Sequence, residues 1–386
     1  MSFSMSNSTS KEAAKKEGVF DERGGSPLGI YYEITVTLKN GNSERPRFEK
    51  YVLQSIAKVA LPGERVAICF RNRRSKDSDV EVWKHRASQK AFYANLQVCG
   101  SVWLCPVCAA KISERRKNEL RHAVDAHMEQ GGKLAMLTLT FSHTMGDRLK
   151  ETMAKFGAAV DRFRSGKRYN RIKKKMGLIG TVRSFEITYG NNGWHPHVHI
   201  LMFYQNEIDM WEVEDELMDL WALALSSTGL SANRKYGLTL QDAEKASDYV
   251  SKWGVEHEMT KSHSKMGKKG GMTPFDFLRE FLVTGDTSML DKFREYGEAV
   301  KGKRQLMWSR GLKEMFLLED KTDEQIATEK VEEADLLGMI PYEMWTRILR
   351  NDFRAQFLQL VEEQGFDQAL EFVSSMVRAK WDFSRT

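Results

Sequence analysis

The sequence predicts an α+β fold in which a mainly antiparallel sheet is flanked by helices, with a cysteine-bearing region before it and a helical region after it. Three observations lead to this. Strand-like and helix-like segments alternate between residues 134 and 255. Two neighbouring strands, IGTVRSFEITYG and WHPHVHILMFY, are separated only by a short Asn/Gly turn, which makes them a hairpin. From Thr273 onward the periodicity is helical, apart from one strand or loop at 300–308.

Taken in order, residues 1–28 are rich in Ser, Lys and Gly and read as a disordered tail. Residues 29–130 form an N-terminal region. Within it, IYYEITVT (30–37) and RVAICF (65–70) read as strands, 85–110 holds most of the cysteines, and a helix runs from Ala109 to about Met128, ended by Gly131-Gly132. Residues 131–275 form the central domain. Its elements are the apolar strand LAMLTLTFSH (134–143), a helix over 146–164, a basic stretch over 162–175, the hairpin, a helix over 207–226, the short strand YGLTLQ, a helix over 242–255 and a Lys/Gly-rich loop at 261–272. The helix over 207–226 carries Trp211, Leu217, Leu220 and Trp221 at helical spacing. Residues 276–386 are mainly helical, and no internal repeat is visible.

Composition narrows the function classes. With 386 residues and 41% hydrophobic content the chain can bury a substantial core. No apolar run of about 18 residues is present, so no membrane-spanning helix is expected. The first residues lack the apolar stretch of a secretory signal. The four cysteines cluster in the first third, which favours a metal site over a disulfide framework and a cytoplasmic location. Net charge is +6, but residues 310–386 hold ten Lys/Arg and sixteen Asp/Glu, which leaves the rest of the chain strongly basic. A basic body meeting phosphates and an acidic tail that pairs subunits or binds a host protein fit that division.

The strongest signal is Trp194-His195-Pro196-His197-Val198-His199. Alternate strand residues share a face, so His195, His197 and His199 point one way and Val198 the other. With Asn192-Gly193 as a two-residue turn, Glu186 falls opposite His199 and Thr188 opposite His197. Two imidazoles and a carboxylate then converge on one face, a set suited to Mg²⁺, Mn²⁺ or a similar ion, zinc included. His195 reads as a strand-entry residue or a phosphate contact rather than as a further ligand. His143, at the end of the preceding apolar strand, is placed to reach the ion if that strand neighbours the hairpin.

Tyr249 lies in EKASDYVSKW, where helical spacing puts Lys245, Tyr249, Lys252 and Trp253 on one face. A phenol becomes a nucleophile when a nearby cation helps ionise it, and Lys252 stands one turn away. Cys105 and Cys108 form a knuckle pair with Cys99 six residues earlier. Three thiolates lack one ligand for a structural tetrahedral Zn²⁺, and Cys69, His85 and His122 are candidates for the fourth place. Lys167, Arg168, Arg171, Lys173, Lys174 and Lys175, with Lys268 and Lys269 in the later loop, are candidate phosphate contacts.

The strand LTLTFSH (137–143), the His197-Val198-His199 pair and the Tyr249 to Lys252 spacing occur in the order of the three motifs of HUH endonucleases. They most resemble those of single-tyrosine plasmid rolling-circle replication initiators. CGSVWLCPVCAAKI (99–112) and GKRQLMWSRGLK (302–313) look like the same family, so the likeness covers roughly residues 60–315. The resemblance implies a sheet of the ferredoxin or RNA-recognition type, a Mg²⁺ or Mn²⁺ ion on His197 and His199 with Glu186 or an equivalent third ligand, and attack by Tyr249 on origin DNA presented as single strand. The implied product is a 5′-phosphotyrosine with a free 3′-OH that a host polymerase extends behind a host helicase. It further implies that termination uses water activated by an acid, for which Glu244 and Asp248 are the neighbours. A transposase or relaxase with the same chemistry, and a non-catalytic zinc-containing DNA-binding regulator, are the competing readings.

Overall fold

The computed structural model describes residues 45–242, 271–329 and 333–375. Helix α1 (Arg45–Ala60) and a single 3₁₀ turn precede strands β1 (Val80–His85) and β2 (Ala91–Ala94). Helix α2 (Pro106–Glu129) leads to β3 (Lys133–Leu139), α3 (Leu149–Phe163) and α4 (Lys167–Met176). The hairpin β4 (Gly180–Gly190) and β5 (Gly193–Tyr204) is followed by α5 (Met210–Ser226) and β6 (Leu238–Asp242). Beyond residue 270 come α6 (Pro274–Thr284), α7 (Ser288–Val300), β7 (Leu306–Trp308), α8 (Leu312–Met315) and α9 (Asp323–Thr328). The last described elements are β8 (Ala334–Ile340), α10 (Tyr342–Arg350), α11 (Arg354–Gln364) and α12 (Phe366–Ser375).

Among the described residues the strands form two antiparallel sheets, a five-stranded one ordered β6-β3-β5-β4-β7 and a three-stranded one ordered β2-β1-β8. The larger sheet has two unlike faces. Leu137, Leu139, Val198, Ile200 and Met202 point to one side and are buried against Phe156, Phe163, Ile172, Leu217 and Trp221 from α3, α4 and α5. Burying a side chain of this size contributes roughly 1.5–3 kcal/mol, so this layer fixes which way each strand faces. The opposite face carries Thr138, Glu186, His195, His197 and His199 toward the hairpin tip. Toward its other end that face is apolar, where the end of α2 docks through His127. Its ring lies edge-on to Phe203 at 5.3 Å, and its Nε2 lies 3.0 and 3.1 Å from the carbonyls of Lys133 and Tyr204.

The hairpin register differs from the sequence expectation by two residues. Gly190 pairs with Gly193, Glu186 with His197, Thr188 with His195 and Ser184 with His199. Asn191 and Asn192 are absent from the positive-φ residues, whereas Gly193 has φ +85°, so the connection is an Asn-Asn turn closed by a left-handed glycine rather than a two-residue turn at Asn192-Gly193. Glycine is required there twice over, because a Cβ would also lie 3.0 Å from Met145 Cα. A shift of two preserves face, so Glu186 stays with the histidines.

Three other expectations change. RVAICF is not a strand: Arg65–Ala67 make a 3₁₀ turn and Phe70 has φ +50°, a path that wraps Cys69 onto the other thiols. The segment ADLLGMI, which reads as helical, is β8, paired with β1 across a bulge at Val82/Trp83. Its Gly338 leaves the space in which the Phe366 ring packs, 2.3 Å from where a Cβ would sit. Helix α1 is not among the predicted elements. The expected strand at 30–37 and helix at 242–255 lie outside the described residues, apart from Asp242 at the end of β6.

Candidate metal centres and nucleic-acid surface

Glu186, His197 and His199 offer ligand atoms that all lie within 4.8 Å of one another. The Glu186 Oε2 atom is 2.7 Å from His197 Nε2 and 3.3 Å from His199 Nε2. Adjacent ligands around a six-coordinate ion with bonds of about 2.1 Å are separated by about 3.0 Å, so the observed spacings bracket what a cation needs. Nitrogen and carboxylate donors suit Mn²⁺, Mg²⁺ or zinc. Burial alone would lower the His197 pKa, but the Glu186 carboxylate outweighs it and raises it overall.

The ring nitrogens pointing away from Glu186 are also engaged. His197 Nδ1 donates to the His195 carbonyl over 3.3 Å, and His199 Nδ1 lies 3.0 Å from Thr138 Oγ1. Both contacts follow from the strands, since Thr138 is the β3 residue paired with His199. Sequence reasoning missed Thr138 and Thr140, although the alternation in Leu-Thr-Leu-Thr puts both threonines on the histidine face. The structure does not bring His195 or His143 into the cluster. His195 Nε2 is 2.7 Å from Thr140 Oγ1 and its ring packs on His143 at 4.8 Å. Burial, aided by His197 and His143, lowers the His195 pKa to about 4, so it is neutral. His143 Nδ1 donates to the Asn192 carbonyl over 2.9 Å, which ties the end of the apolar strand to the hairpin turn.

The second cluster is Cys69, Cys99, Cys105 and Cys108, all buried. Their sulfurs stand 3.5 Å (Cys69–Cys108), 3.6 Å (Cys99–Cys108) and 3.7 Å (Cys69–Cys105) apart. Four thiolates at about 2.3 Å from a tetrahedral zinc are about 3.8 Å apart, so the group fits a structural Zn²⁺ with no open position. Cys69 thereby takes the fourth place. His122 instead meets the Phe316 carbonyl at 3.2 Å, and His85 caps Ser88. Cys105 is the N-cap of α2, and the Cys108 N–H points to its sulfur. Gln54 of α1 donates to the same sulfur at 3.1 Å, and its carbonyl oxygen accepts from the fully buried Arg354 of α11 at 2.6 Å. The N- and C-terminal parts of the described chain thus meet at this site.

Helix α4 buries Tyr169, Ile172 and Met176 and turns its basic residues outward. They are not equivalent. Lys175 is held by Glu212 at 2.7 Å and Glu216 at 3.0 Å, Arg168 lies 3.9 Å from Asp219, and Lys173 lies over the Tyr169 ring. Lys167, Arg171 and Lys174 are exposed. Tyr249, Lys252, Glu244, Asp248, Lys268 and Lys269 lie outside the described residues. No described helix is long and apolar enough to cross a membrane.

A family model described as replication protein matches residues 90–353. Among curated relatives, Protein rep of Streptomyces lividans is 26% identical over 295 residues, covering 58% of this chain and 64% of that protein. A Streptomyces cyanogenus protein named neomycin resistance protein is 32% identical over 146 residues, 31% of this chain and 33% of its own. Protein rep of Lentilactobacillus hilgardii is 37% identical over 103 residues, 26% of this chain and 31% of its own. The chain thus spans less than two thirds of each of these relatives. No solved structure matches it. The family match takes in the histidine hairpin, Glu186 and three of the four clustered cysteines, and this chain belongs to the replication-protein (Rep) family.

Proposed function

We propose that the chain initiates rolling-circle replication of a plasmid by nicking and rejoining one DNA strand with Tyr249 and a divalent cation. The observation that carries this is the convergence of His197, His199 and Glu186 at cation-binding separations on one sheet face. Mg²⁺ or Mn²⁺ bound there would polarise a phosphate oxygen. The Tyr249 phenol oxygen forms a bond to phosphorus, the P–O3′ bond breaks, and the phenol proton is transferred away as the 3′-oxygen leaves as a hydroxyl. Phosphodiester energy is kept in the tyrosyl ester, so attack by a 3′-OH reverses the step and joins strands. Lys252 would stabilise the phenolate or the phosphate. Glu244 or Asp248 would activate water at termination.

Asp242 pairs with Ala135 at the far end of the sheet, and Met272 bridges Tyr189 near the hairpin tip. Residues 243–270, which carry Tyr249, join these two points of the sheet that holds the histidines. The Cys69/Cys99/Cys105/Cys108 site would hold a structural Zn²⁺ that steadies the region gripping duplex origin DNA, and the exposed basic side chains of α4, with Lys268 and Lys269, would contact phosphates. Host helicase and polymerase would act on the nicked product.

The test uses labelled single-stranded fragments tiled across the DNA flanking the chain's own gene, with Mn²⁺ or Mg²⁺. A covalent protein–DNA adduct is expected with one 3′-labelled fragment, because the tyrosine is joined to the 5′ phosphate of the piece on the 3′ side of the cut. It is lost in Tyr249→Phe and in the His197→Ala/His199→Ala double variant. DNA binding with no nick and no adduct under either metal would leave the non-catalytic regulator as the better reading.

A further inference from the structure

We infer that Thr138 is a positioning residue for the histidine metal site, fixing the tautomer in which His199 can bind a cation. The inference rests on the metal reading above. An imidazole binds a metal through a nitrogen lone pair, and which nitrogen keeps its proton is set by the hydrogen bond that the other makes. His199 Nε2 faces Glu186, 3.3 Å from Oε2, so it must be the ligand atom. Nδ1 must then carry the proton and needs an acceptor, and Thr138 Oγ1 stands there at 3.0 Å. His197 is served in the same way, but by a backbone carbonyl, that of His195 at 3.3 Å. A carbonyl can only accept, so the His197 tautomer is set by the chain path alone. His199 depends on a side chain that substitution can remove.

The β-sheet register makes this contact specific. Thr138 sits directly across from His199 on β3, on the face opposite Leu137 and Leu139, where cross-strand side chains are close enough to touch. A valine would keep the shape and strand propensity and lose only the oxygen. The expected result in Thr138→Val is therefore a change in the histidine and its cation with the fold intact.

The experiment titrates Mn²⁺ into the full chain and follows free ion by electron paramagnetic resonance, for wild type, His199→Ala, Thr138→Val and Thr138→Ser. In parallel, nitrogen-15 long-range NMR of the metal-free protein reads which His199 nitrogen bears the proton. Wild type should bind one Mn²⁺ that His199→Ala loses. Thr138→Val should weaken that binding about 10–100-fold, the usual cost of removing a partner behind a ligand, and shift His199 toward the Nε2–H tautomer. Thr138→Ser should restore both. Unchanged thermal melting and zinc content in Thr138→Val separate this from misfolding. Mn²⁺ affinity and tautomer unchanged in Thr138→Val overturn the role of Thr138 and leave the metal reading standing. Absence of His199-dependent Mn²⁺ binding in wild type overturns both.

Discussion

Replacing Cys69 by serine should remove zinc and unfasten the N-terminal region, and the size of the effect follows from the loops this residue closes. Cys69 is 30 residues from Cys99 and 39 from Cys108, whereas the other three thiols lie close together in sequence. A shared metal acts as a cross-link between these points. Cutting a link that closes a loop of this length returns roughly 4 kcal/mol of chain entropy to the unfolded state. Three remaining thiolates cannot complete a tetrahedral shell, so part of the metal-binding free energy is lost as well. The effect should spread through Gln54 and Arg354, which link the Cys105 sulfur to α11. For a chain of this size the expected fall in Tm is at least about 5 °C. The assay is zinc content by atomic emission on protein purified without added metal, with thermal melting followed by circular dichroism. Wild type should carry one zinc per chain and Cys69→Ser well below one, while His85→Ala and His122→Ala keep it. One zinc per chain in Cys69→Ser, or a melting temperature within the error of wild type, would refute the four-cysteine assignment.

Three further outcomes are expected. Glu186→Gln keeps the shape but removes the charge that both histidines face, and should weaken Mn²⁺ binding, measured calorimetrically, by at least the roughly 100-fold seen when supporting groups are removed. Trp221 is fully buried, edge-on to Phe156 and Phe163, and donates to the Thr140 carbonyl at 2.8 Å; Trp221→Ala should cost about 3–5 kcal/mol in urea unfolding, and Trp221→Phe about 1–3 kcal/mol for the orphaned carbonyl. In DNA-binding titrations against salt, Lys174→Ala should lower the slope of log K against log salt by about 1, whereas Lys175→Ala, whose ammonium is already taken by Glu212 and Glu216, should leave it unchanged.

Much of the candidate site was legible in the chain because it is written in local periodicity. His197 and His199 two residues apart in a strand must share a face, and Val198 must enter the core, whatever the neighbours are. Glu186 joined them even though the turn was assigned one residue away, because that moves the register by two and a shift of two preserves sidedness. The helix predicted from Ala109, which in fact starts at Pro106, and the apolar strand LAMLTL were readable for the same reason: their side-chain periods match their secondary structure. What the tertiary structure decided is whatever depends on contacts distant in sequence. Cys69 became the fourth thiol by bending a stretch with strand propensity into a turn, because four converging sulfurs outweigh a local preference. ADLLGMI became a strand only because β1 offered it an edge and Phe366 filled the space above Gly338. Thr138 came to hold His199 through a pairing 61 residues apart in the chain, since hydrogen bonds across a sheet are set by register and register is set by the core beneath it.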